Sequence, residues 1–346
     1  MRALCLLSLF LSSTLLLSSS AQADIPRTAT GKPDLSGFFD VATITPMERP
    51  EEFGDKLFIT LEEATELESA RAARRAEQNV KSDPNREAPP IGGSVGGYNE
   101  FWLDAGEERF TVDGKFRTSV ITKPSNGRRP SMTAAGDAAA KFQVDDFVNR
   151  PGAAWWLDEG GPGPYDNMEQ RPLRERCLLG FGPVAGPPIL PTVYNNHKRI
   201  VQTEDYIMIL AEMVHDARVI RLNSEHKPVH MRNWMGDSVG HWEGDTLVVD
   251  TINFNGTPGL LSADANLHVI EKFTRVDADT LMYSFIVDDP SVWSETWGGE
   301  YPWPQTQEKV YEYACHEGNY ALGNIMRGAR LLEREKVALS AAGGED

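Results

Sequence analysis

Period-two alternation places two titratable side chains where apolar ones are expected. In the segment Leu267 to Arg275, one face carries Leu267, Val269, Glu271, Phe273 and Arg275. Glu271 therefore sits between Val269 and Phe273, and burying a carboxylate is costly unless it is paired, hydrogen-bonded or protonated. A raised pKa would suit it to general acid or base catalysis near neutral pH. A pairing with Arg218, Arg221 or Arg275 would make it a strut instead. The same count over Ile207 to His215 puts Ile207, Ile209, Ala211, Met213 and His215 on one face, with Asp216 where the chain must turn. An imidazole there, beside a carboxylate, can shuttle protons; bonded to a backbone carbonyl it would be structural. The chemistry that these residue types support is proton transfer. His215 and Glu271 are the expected dyad, with Asp216 alongside and Arg221 or Arg218 steadying negative charge that develops on the substrate.

Substrate contacts are expected from Arg218, His241, Trp234, Trp242 and Tyr283, the aromatic members giving a barrel interior rigid apolar walls. Aromatic residues in strands also serve as plain core. No H-E-x-x-H occurs, and His226 and His230 are separated by Pro228, which disfavours the helix that would bring both rings together. A site assembled across strands from His215, His241 and His268 is the one metal arrangement left, and the reading assigns no metal. It assigns no cofactor either, because neither G-x-G-x-x-G nor a Walker loop is present.

The elements that must position these residues divide the chain into two textures. From Asp24 to about residue 198 it is rich in Pro and Gly and irregular, with short helices. Thr60-Leu61-Glu62-Glu63 is a capping box, starting a solvated helix to about Glu77, and Thr133 to Phe142 reads as a second, short one. Arg117 to Thr122 looks like a strand. From about Arg199 to Cys315 strands follow one another: Asp205–Glu212, Ala217–Leu222, Val239–Trp242, Asp245–Asn253, Leu267–Arg275, Thr280–Asp288 and Lys309–Cys315. Neighbours so close must mostly pair as antiparallel hairpins. The expected fold is mainly β: an antiparallel curled sheet or barrel over residues 199–346, calycin-like in one form, with a C-terminal helical tail and a loop-rich region 24–198 packed on it.

Residues 1–23 read as a signal peptide: Met1-Arg2, an apolar run from Ala3 to Leu17, and Ala21-Gln22-Ala23 as the cleavage site. That address is the periplasm or the exterior. Of three cysteines, Cys5 leaves with the leader, and Cys177 and Cys315 most simply pair in an oxidising compartment. A nucleophilic Cys315 beside His316 is the competing possibility, and it would need a reduced thiol. The 346 residues carry a net charge of −17, which argues against nucleic acid or an anionic membrane surface as the partner. No segment after the leader is apolar enough to insert stably in a bilayer. A small-molecule substrate or ligand remains, and oligomeric state is left open.

Longer motifs stand out as well: Arg176-Cys177-Leu178, Met213-Val214-His215-Asp216-Ala217-Arg218, Trp242-Glu243-Gly244-Asp245-Thr246-Leu247-Val248-Val249 and Tyr311-Glu312-Tyr313-Ala314-Cys315-His316-Glu317-Gly318-Asn319-Tyr320. With Pro33-Asp34-Leu35-Ser36-Gly37 and Tyr98-Asn99-Glu100-Phe101-Trp102, they resemble a large, uncharacterised family of secreted bacterial proteins. The resemblance implies an exported protein with one integrated fold, and it carries no reaction. Two functional classes follow from the residues. One is a periplasmic enzyme performing cofactor-independent acid–base chemistry, as a lyase, isomerase or hydrolase. The other is a periplasmic binding protein for a small apolar or aromatic ligand.

Overall fold

The computed structural model describes residues 25–81, 83–88, 102–145, 154–158, 160–180, 182–256, 260 and 262–342. The expected leader lies outside these residues. The chain is mainly β. Ten strands form one curled, half-barrel sheet: β1 (Gly37–Asp40), β5 (Ile121–Lys123), β6 (His197–Gln202), β7 (Tyr206–Ala211), β8 (Ala217–Leu222), β9 (Asp237–Glu243), β10 (Thr246–Ile252), β11 (His268–Arg275), β12 (Thr280–Asp288) and β13 (Trp297–Pro304). Their order is β1-β6-β7-β8-β9-β10-β11-β12-β13-β5. Three short strands, β2 (Phe58–Ile59), β3 (Thr111–Val112) and β4 (Lys115–Arg117), form a second sheet. A bridge between Phe39 and Gln305, and the Thr306 amide donating to the Phe38 carbonyl, link β1 to the chain beyond β13.

Alternation decides what faces inward. Ile200, Ile209, Ile220, Val249, Val269, Phe273, Tyr283, Phe285, Tyr301 and Trp303 are each at most 2% exposed and share one core. Trp303 stacks obliquely on Tyr283, with ring centroids 4.9 Å apart, and Phe273 lies edge-on to it. Burial of this many rings supplies much of the stabilisation. Helix α1 (Leu61–Gln78) starts at the expected capping box: Thr60 Oγ1 accepts the Glu63 amide, and the Glu63 carboxylate accepts the Thr60 amide at 2.8 Å. Helix α2 (Ala134–Asp145) and the C-terminal helix α3 (Tyr320–Ala342) complete the set. Among the described residues, no helix is long and apolar enough to cross a membrane.

Three departures from the sequence reading matter. Strands β8 and β9 pair in parallel, joined by the loop 223–236, while every other neighbouring pair in the large sheet is antiparallel. The expected strand Lys309–Cys315 is irregular, and the closing strand is β13 instead. Its sequence hides it: Pro302 and Pro304 cannot donate to a ladder, yet β5 pairs only with Gly298 and Gly299, so the prolines need no partner on that side. Those glycines permit close strand approach, since a Cβ would lie 2.2 Å from the Phe285 carbonyl oxygen at Gly298 and 2.4 Å from the Val120 carbonyl oxygen at Gly299. Thirdly, the large sheet extends into the N-terminal half through β1 and β5.

Candidate functional site

The alternation that exposed Glu271 holds: it is fully buried on the inner face of β11. Arg218, inward on β8, donates to both its oxygens, at 2.5 Å from Nη1 and 2.9 Å from Nη2. Tyr283 O–H donates to Oε1 at 2.8 Å and accepts the Ile189 amide at 2.7 Å. Tyr301 O–H then donates to the Ile189 carbonyl at 3.0 Å. Burial pushes both phenols far up, so they remain donors at any physiological pH. This network ties four strands, β8, β11, β12 and β13, to the segment around residue 189, and Glu271 has no oxygen left unengaged for substrate. Tyr283 thus serves the interior and lines no substrate surface.

His215 does not continue the inward face of β7. That strand ends at Ala211, and Met213–His215 form a single 3₁₀ turn with Val214 at φ 56° and His215 at φ 47°. Left-handed conformation at a β-branched residue is strained, and here it swings His215 into solvent. No hydrogen bond or ion pair joins His215 to Glu271 among the described residues, so the expected dyad is not formed. Asp216 goes the other way. It is 8% exposed, its Oδ2 accepts the Gly180 amide at 3.0 Å, and it lines a small recess with Trp234, Met235 and the Gly182–Pro187 stretch. Burial pushes its carboxyl up to about 6, against the opposing pull of the Gly180 amide, His215 and Lys198.

The recess shares Leu179, Trp234 and Met235 with an open cleft of about 470 Å³ at the start of β8. Arg218 and Ser238 belong to the cleft wall, and Arg232, Asn233 and Trp234 come from the loop between β8 and β9. A volume of this size suits a small organic molecule. The disulfide fixes the facing wall: Cys177 and Cys315 are bonded, 138 positions apart, directly before Leu178 and Leu179. Cys315 is therefore not a free nucleophile.

Lys198 was not foreseen from sequence, where the first strand expected after residue 198 is Asp205–Glu212 and β6 is absent. Counting from Ile200 inward would have found it, because Lys198 shares that face of β6. It is fully buried, and its Nζ has no hydrogen-bond partner among the described residues. Burial lowers its pKa to about 8, partly offset by the carboxylates of Glu212, Asp40 and Asp216. Neighbouring His197 bridges Glu212 at 3.3 Å and Glu308 at 3.1 Å.

The remaining candidates lie elsewhere. Arg221 points outward and pairs with Asp237 at 2.8 Å. His226 links Asp237 to Asp250 at 3.2 and 3.1 Å, and His268 also meets Asp250 at 3.2 Å. His241 is exposed beside Glu243. Trp242 lines a different cleft at the far end of β8, beneath Lys32 at 5.7 Å. Among the described residues, no cluster of three or more His, Cys, Asp or Glu could hold a metal ion, so His215, His241 and His268 are not assembled. The expectation that no G-x-S-x-G string occurs is incorrect, since Gly92-Gly93-Ser94-Val95-Gly96 has that spacing. That string follows Pro89-Pro90 rather than the strand that a nucleophile elbow needs, and it lies outside the described residues. In comparisons with known proteins, no family model matches the chain and no curated protein gives a significant match.

Proposed function

We propose that the chain is an exported enzyme performing cofactor-independent acid–base chemistry on a small organic molecule in the cleft at the start of β8, with Asp216 as the titrating group. The reaction class is that of a lyase, isomerase or hydrolase. The observation that carries the reading is Asp216 itself: a nearly buried carboxyl, pushed up to about 6, lining the recess that adjoins the cleft. Lys198 adds a buried positive charge on the same side of the fold, and Trp234 offers the ligand a flat apolar surface. The leader-like N-terminus, the resemblance to secreted bacterial proteins and the disulfide support export to the periplasm or beyond.

The reading is tested by incubating the purified protein with a panel of small organic compounds and following their consumption by NMR. An enzyme depletes one of them catalytically, and Asp216→Asn slows that turnover at least about a hundredfold with the fold intact. The binding-protein alternative is favoured by the Arg218–Glu271 pair, which neutralises the interior. It predicts stoichiometric capture with the compound recovered unchanged. N-terminal sequencing of exported material starts at Asp24 if the leader is cleaved as expected.

A further inference from the structure

Charge sets the cleft apart from the rest of the molecule. The chain as a whole carries −17, yet the residues that line the cleft include two arginines and no Asp or Glu. Arg218 is 3% exposed and engages Glu271 through Nη1 and Nη2 only. A guanidinium has five N–H donors, so an end-on pair leaves its Nε edge uncommitted. Its Nε has no hydrogen-bond partner among the described residues but is sealed from solvent, which leaves Arg232 as the guanidinium of the cleft that a ligand can reach. Arg232 faces the same cleft, held by the carbonyls of Phe254 and Ala265 at 2.7 and 2.8 Å. Those acceptors are neutral, and no carboxylate pairs with Arg232 among the described residues. Trp234, 36% exposed, and the apolar Leu178 and Met235 line the same cleft.

We infer that the cleft binds a small organic anion: a carboxylate or phosphate headgroup held by the exposed guanidinium of Arg232, with a planar apolar body laid on Trp234. Arginine forks match such headgroups, and desolvated charge-assisted bonds are the strong ones. The inference rests on the cleft being the ligand site, and binding does not require Asp216 to titrate.

The experiment uses the intact protein and three probes: benzoate, the neutral isostere benzamide, and phenyl phosphate, each titrated by isothermal calorimetry. Benzoate or phenyl phosphate should bind at least about tenfold more tightly than benzamide, the scale of one charge-assisted contact. Whichever anion binds better identifies the headgroup. Arg232→Met should abolish the preference, and Arg232→Lys should restore part of it. The Arg232 Nε–H resonance should shift with the anion and stay in place with benzamide. Asp216→Asn should still bind the anion, which separates this inference from the acid–base reading. It is overturned by equal binding of anion and amide, by an unchanged preference in Arg232→Met, or by no anion binding up to about 10 mM.

Discussion

Arg218 and Glu271 meet inside the barrel at 2.5 and 2.9 Å, although β9 and β10 separate their strands in the sheet. Curling of the sheet brings them together. Glu271→Gln should cost about 3–5 kcal/mol, because it leaves a buried guanidinium without its counter-charge. Urea unfolding measures this, and a variant as stable as the parent would show that the pair is not a strut.

Asp216 should be a liability to the fold. Its pKa rises from 3.8 to about 6 on folding, so the native state holds a proton that the unfolded chain has lost over that window. Stability therefore falls as pH rises through it, and above it the full cost of up to about 3 kcal/mol persists. Asp216→Asn keeps an acceptor for the Gly180 amide and removes the charge. It should be the more stable protein at pH 7 and converge with the parent below about pH 4. An Asp216→Asn protein less stable than the parent at pH 7 would contradict this.

Lys198 has the opposite sign. Its pKa falls from 10.5 to about 8 on folding, so the unfolded chain binds the extra proton between those values. Stability of the parent should climb with pH through that window, whereas Lys198→Met should remain flat there. Thermal unfolding at a series of pH values reads the difference, and parallel curves would refute it.

The disulfide joins residues 138 positions apart and anchors the Leu178–Leu179 wall of the cleft. Replacing both cysteines with Ser should destabilise by about 4–5 kcal/mol on the chain-entropy account. Without reductant, the native protein should resist alkylation at both positions.

Much of the sheet was legible because period-two alternation is local: β7, β8, β10, β11 and β12 fall close to the segments read from sequence. So were the capping box and the disulfide. What escaped was set by tertiary context. β13 tolerates two prolines only because its neighbour β5 is short, and nothing in Lys309–Cys315 reveals that no strand lies beside it. Glu271 and Asp216 were both found by pattern, but alternation cannot name a partner across a barrel, nor show that His215 turns outward after Ala211. Lys198 escaped because strand β6, which carries it, was not expected at all.

The proposed chemistry turns on Asp216 being a poised carboxyl in the recess beside the cleft. The direct measurement is the ¹³C NMR titration of its side-chain carboxyl in the intact protein, assigned by its absence in Asp216→Asn. The account predicts a midpoint near 6 that moves upward in Lys198→Met, where an opposing positive charge is lost. A midpoint in the ordinary carboxylate range around 4, unmoved by Lys198→Met, would contradict it.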